Sequence, residues 1–216
     1  MLASGSIYRE RMLRDAGFEL IVDPPHVDER AADHLLARLG PGGLAVELAA
    51  RKAASVAVRH SQSVVLGGDQ VGVVQTPRGP VQLNKQPDSG AAVAQLMSLS
   101  GTTHHLYNGM VLLDVPSGCR VSGIDVQRVT MRAFGAEEAL EYVQRFEPFD
   151  TAGSYRMEDS ERMAPLEPFV TSVVGEDPTG VLGVPIPMLR RLLVSLEDAT
   201  RGAAGRDHPH GGPPGR

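Results

Sequence analysis

Strand-like and helix-like segments alternate along nearly the whole chain, and this alternation restricts the fold more than any single motif does. Such a chain builds a sheet whose faces are covered by helices, the α/β class. The expected strands are 18–22 ahead of Pro24-Pro25, 64–66, a hairpin of 71–75 and 81–83, and 169–174. Two long runs, 104–115 and 120–132, are joined at Pro116-Ser117-Gly118. After a short apolar start at Leu2-Ala3, Ser4 or Ser6 caps a helix that ends near Gly17. Further helices are expected over 43–59, 89–99, 136–146 and 186–196, where apolar residues recur every three or four positions.

With 216 residues and 42% hydrophobic side chains, the chain suits one domain, placed at 1–200. From Arg201 the Gly/Pro-rich sequence has no apolar anchor, and 201–216 reads as a disordered tail. A net charge of −5 argues against a nucleic-acid-coating role, which would require phosphate neutralisation. One cysteine, Cys119, provides no disulfide framework and fits a reducing cytoplasm. No apolar run approaches the roughly 18–20 residues of a membrane span.

Function is best sought where side chains violate the fold's logic. Lys52 falls between Leu48 and Val56 on the apolar stripe of its helix. It either snorkels to the surface or aims an ammonium into a cleft. Asp69 closes the run Val64-Val65-Leu66 after two glycines. There it is either a turn former or a carboxylate at the carboxyl end of a strand, where α/β sheets place ligands. The turn Ser4-Gly5-Ser6 offers backbone donors to an anion, and Arg9 in the first helical turn answers a negative charge other than the helix dipole. Lys85, Glu29 and Glu158 pass as surface charges when taken singly. His104 reads as a structural hydrogen-bonding residue. If these groups converge, cations and backbone donors meet carboxylates able to hold a divalent metal and activate water. That is equipment for metal-assisted phosphoanhydride chemistry. The chain has no Walker loop, dinucleotide glycine motif or nucleophile elbow.

Several short stretches, in order, resemble the Maf proteins. They are Leu2-Ala3-Ser4-Gly5-Ser6-Ile7-Tyr8-Arg9, Val27-Asp28-Glu29, Ala49-Ala50-Arg51-Lys52-Ala53, Gly68-Asp69-Gln70-Val71, Lys85-Gln86-Pro87, Ala152-Gly153-Ser154-Tyr155 and Gly183-Val184-Pro185. The resemblance implies a Maf/inosine-triphosphatase-like fold, an elongated mixed twisted sheet flanked by helices with a cleft between two lobes. It also implies a cytoplasmic nucleoside triphosphate pyrophosphatase that cleaves between the α- and β-phosphates with Mg2+ or Mn2+. Asp69 matches the family's proton acceptor or metal-holding carboxylate. Ser6, Arg9, Glu29, Lys52 and Lys85 match its phosphate- and metal-handling positions. Ile7 stands where the family usually has Pro, and Gln86 separates Lys85 from its usual Pro neighbour. Tyr8, Gln70 and Glu158 agree with the 7-methyl-GTP branch rather than the dTTP/UTP branch. The methylated base is cationic, which suits an aromatic face and a carboxylate. The alternatives kept open are the same reaction on dTTP or UTP, and a non-catalytic nucleotide-binding regulator of cell division. The expected partner is a small nucleotide, without nucleic acid or membrane; a homodimer is left open.

Overall fold

The computed structural model describes residues 1–204, and the rest of the expected tail, 205–216, lies outside the described residues. Six strands, β1 (Leu2–Ala3), β2 (Val64–Thr76), β3 (Gly79–Leu83), β4 (Thr103–Asp114), β5 (Arg120–Met131) and β6 (Val170–Val174), form one mixed sheet. Its order is β1-β2-β4-β5-β6, with β3 paired to β2. Only β1 runs parallel to its neighbour. The helices are α1 (Ile7–Asp15), α2 (Leu36–Ala57), α3 (Ser89–Leu99), α4 (Ala136–Phe146) and α5 (Ile186–Ala204), with 3-10 turns at Arg30–Leu35, Met157–Arg162 and Pro178–Leu182. Among the described residues no helix is long and apolar enough to cross a membrane.

The period-two alternation of β2 and β4 sorts their side chains onto two faces. One face, with Val65, Val71, Val73 and Val111, is covered by Leu44, Ala45, Leu48, Ala53 and Val56 of α2. The other carries two separate apolar clusters. Val74, Leu106 and Val129 pack with α3 and α4 at one end, and Leu66, Met110 and Leu112 pack with α1 and α5 at the other.

Four expectations change. Residues 18–22 form no strand. A single bridge joins Val22 to Leu2, because β1 is two residues long and Pro24-Pro25, lacking N–H donors, end the pairing. The 64–66 and 71–75 runs are one continuous strand, so Asp69 lies in its middle rather than at its end. The intervening glycines serve packing: a Cβ on Gly67 would fall 2.1 Å from the Ala49 carbonyl oxygen of α2. Helix α2 starts at Leu36, with a kink where Gly40 has φ 68°, so the limb expected from residue 43 is its second part. Helix α5 runs to Ala204, making 201–204 helical rather than tail.

Candidate active site

On the edge of β2 away from β4, β1 covers Leu66 and Gly67 while β3 covers Gly72 to Thr76. The stretch 68–71 between them has no strand on that edge, and the break opens a cleft of about 610 Å³. A gap in a sheet edge does what a strand end does elsewhere: it lets chain segments converge on exposed backbone. Because neighbouring side chains point to opposite faces, Asp69 and Gln70 border the cleft from the two sides of the sheet. Ser4, Gly5 and Ser6 arrive from the end of β1, and Lys85 arrives from the end of β3. The nine side chains assigned to a site from the sequence, Ser6, Tyr8, Arg9, Glu29, Lys52, Asp69, Gln70, Lys85 and Glu158, all line this one cleft.

Lys52 does not snorkel. It is 6% exposed, and its Nζ lies 2.5 Å from Asp69 Oδ1 and 2.6 Å from Glu29 Oε1. Helix α2 delivers it across the close contact at Gly67, one turn beyond Leu48. Burying an ammonium is tolerable only with such partners. The two carboxylates differ in surroundings. Burial pushes Asp69 above the usual carboxylate range, against the opposing pull of Lys52 and Arg9. For Glu29, half exposed, burial also raises the pKa, but Lys52, Lys85 and Arg9 outweigh it and hold the carboxyl low. Ser6 is the N-cap of α1 and accepts from the Arg9 backbone N–H at 3.3 Å. The buried Ser4 hydroxyl oxygen accepts from the Ser6 N–H at 3.1 Å and from Arg9 Nη1 at 3.4 Å. Burial lowers the Arg9 pKa while Asp69 and Glu29 raise it. Its Nε donates to the Gly183 carbonyl at 3.3 Å. Lys85 reaches the cleft despite the intervening Gln86.

Tyr8 lies at the cleft 44% exposed, and Glu158 faces it from the 3-10 turn Met157–Arg162. That turn is tied down on both sides of Glu158. The Tyr142 hydroxyl donates to Asp159 Oδ2 at 2.7 Å and accepts from the Arg156 N–H at 3.0 Å. Gln70 is held through its amide nitrogen, which donates to Asn108 Oδ1 and to the Gly180 and Val181 carbonyls. His104 is fully buried and bonds the Tyr155 hydroxyl at 2.7 Å, as its structural reading requires. Sequence reasoning missed Pro24-Pro25 and residues 181–183 as cleft walls, and Asn108 as a buried anchor. Asn108 had a signal: it interrupts the period-two row of Leu106, Met110 and Leu112, as Lys52 interrupts its helical stripe. Among the described residues no group of three or more His, Cys, Asp or Glu side chains gathers for a metal.

A family model described as Maf-like protein matches residues 1–196. Among curated relatives, a dTTP/UTP pyrophosphatase of Desulforamulus reducens is 32% identical, over 73% of this chain and 78% of its own length. A 7-methyl-GTP pyrophosphatase of Syntrophotalea carbinolica is 32% identical over 86% and 88%. A nucleoside triphosphate pyrophosphatase of Corynebacterium aurimucosum is 32% identical over 91% and 93%. The names of these relatives agree on a reaction and divide on the base.

Proposed function

This chain belongs to the Maf-like protein family, matched over residues 1–196, and on that premise we propose that it is a nucleoside triphosphate pyrophosphatase preferring 7-methyl-GTP. It is a hydrolase of the α–β phosphoanhydride, releasing a nucleoside monophosphate and pyrophosphate. The observation that carries the reading is the buried Lys52 held between Asp69 and Glu29 at the wall of a cleft shared with Arg9 and Lys85.

The substrate's phosphates carry about four negative charges, which repel an incoming hydroxide-like oxygen. Arg9, Lys85 and Lys52 offset that charge, and the β1–α1 turn adds backbone donors at a helix start. Water supplies the new oxygen to phosphorus, the bridging P–O bond breaks, and the bridging oxygen leaves with the other product. Asp69 takes the water's proton: burial shifts its carboxyl upward, towards a stronger base than an ordinary aspartate, while Lys52, paired with it at 2.5 Å, pulls the other way and favours the carboxylate form. Two hard carboxylate donors facing a phosphate cleft fit a Mg2+ or Mn2+ ion, a cation that prefers oxygen ligands. Asp69 and Glu29 would hold it. When bound, such a cation supplies further phosphate neutralisation.

The base preference rests on Tyr8 and Glu158, an aromatic face and a carboxylate that favour a cationic purine over neutral uracil or thymine. Pyrophosphate release measured separately on 7-methyl-GTP, GTP, dTTP and UTP, with Mg2+ or Mn2+ and with chelator, tests the reading. Turnover led by the methylated purine and abolished by chelator is expected. A lead for the pyrimidines would keep the reaction and reverse the base assignment. Asp69→Asn should lower kcat by about a thousandfold or more while calorimetric nucleotide affinity stays within about threefold. Full turnover in that variant would remove Asp69 as the base.

A further inference from the structure

Between the two apolar clusters on the face opposite α2 lies a polar row that the proposed chemistry leaves unused. Gln70, Asn108 and Asp125 are register partners on β2, β4 and β5, so their side chains stand next to one another on one face. Asn108 and Gln127 are fully buried and Asp125 is nearly so. Polar groups in a sheet interior destabilise unless hydrogen-bonded, and here the bonds converge on one segment.

The Asn108 amide nitrogen donates to Asp125 Oδ2 at 2.9 Å and to the Gly180 carbonyl at 2.7 Å. Asn108 Oδ1 accepts from Gln70 Nε2 at 3.0 Å. That same nitrogen meets the carbonyls of Gly180 and Val181, each at 3.3 Å. Gln127 Nε2 donates to Asp125 Oδ2 at 2.8 Å. These partners dictate the amide orientations, since the Asn108 nitrogen faces a carboxylate and a carbonyl, and the Gln70 nitrogen faces three oxygens. The Gln70 carbonyl oxygen is what remains for the cleft that this residue lines.

The segment held by the row lies flat against the sheet. A Cβ on Gly180 would fall 2.4 Å from Asp125 Oδ2, and one on Gly175 would fall 2.2 Å from Gln127 Oε1. Further along the segment, the Gly183 carbonyl seats Arg9. Side chains from β4, β2 and α1 therefore grip three carbonyls of one strap, which walls the cleft with Val181, Leu182 and Gly183.

We infer that Asn108 is the positioning residue of this cleft. Buried beneath it, Asn108 fixes Gln70 as a hydrogen-bond acceptor and holds the strap against which Arg9 is set. An acceptor at Gln70 serves a base edge that presents N–H donors, as a guanine's ring N–H and exocyclic amine do. The inference rests on the pyrophosphatase reading.

The test is a double-mutant cycle of Asn108→Leu and Gln70→Ala, with kcat and KM measured on 7-methyl-GTP and UTP and melting temperatures recorded. Asn108→Leu should raise KM for 7-methyl-GTP about tenfold with kcat within about threefold. Both single variants should erode the same selectivity ratio, and the double variant should lose little more. Asn108→Ser, which keeps one hydroxyl, should fall between wild type and Leu, and it replaces Leu in the cycle if the latter does not fold. Selectivity losses that multiply in the double variant overturn the inference. So does a lowered melting temperature with an unchanged ratio, which would make Asn108 a purely structural residue. Wild-type protein inert on both nucleotides overturns the pyrophosphatase reading and this inference together, whereas an active wild type with unaltered variants overturns this inference alone.

Discussion

A lysine on the apolar stripe of a helix admits two outcomes, and burial at 6% exposure between two carboxylates is the one realised at Lys52. The residues around it divide the work by environment: Asp69, buried, is shifted up, and Glu29, open to water and surrounded by cations, is shifted down. His104 shows the same logic without chemistry. Burial, with a smaller contribution from His105, lowers its pKa from 6.5 to about 4. In the unfolded chain the imidazole takes up a proton below about pH 6.5, while the folded state refuses it until about pH 4. Stability should therefore fall as pH drops through that window, by up to about 3 kcal/mol from this group. Urea midpoints between about pH 7 and pH 4.5 measure the slope. His104→Gln should flatten it; an unchanged slope would assign the effect to other groups.

At the scale of elements, glycines at Gly67 and Gly109 allow α2 to lie almost on the backbone of β2 and β4. A Cβ at Gly109 would fall 2.2 Å from the Ala45 carbonyl carbon, a contact as close as that of Gly67 with Ala49. Backbone cannot yield as a flexible side chain does, so Gly67→Ala should cost about 3 kcal/mol or more. The corresponding drop in melting temperature is about 6–12 °C, and thermal unfolding checks it. Since α2 also carries Lys52, kcat should fall with stability. The long β4–β5 hairpin, α3 and α4 were legible from period and punctuation because each is governed by local pattern. The 18–22 strand was not, because an apolar run becomes a strand only when a partner of sufficient length lies beside it, and β1 supplies two residues. The glycine pair before Asp69 does not end the strand, for a related reason: glycine marks both turns and close packing, and only the neighbour decides between them.

For the whole molecule, the cleft is assembled from both ends of the chain. Tyr8 comes from α1 and Glu158 from a turn after α4, and both line the same cavity. Glu158→Gln should lower the kcat/KM preference for 7-methyl-GTP over UTP by about fivefold to tenfold, the worth of one partly solvated charge near a cationic ring. Tyr8→Leu should act in the same direction. An unaltered ratio in both variants would move base recognition elsewhere in the cleft.

The α/β class and most elements were available from residue type and local period, and the resemblance of short stretches marked all nine cleft residues, six for phosphate or metal and Tyr8, Gln70 and Glu158 for the base. Tertiary structure decided what depends on contacts far apart along the chain. It put Asp69 inside a strand whose edge is left open between β1 and β3. It also turned Gln70 toward Asn108 and the Gly180 carbonyl, a bond spanning 110 residues. Periodicity reports which face a side chain takes, whereas the identity of the group opposite it is fixed only when the sheet, helices and strap close on one another.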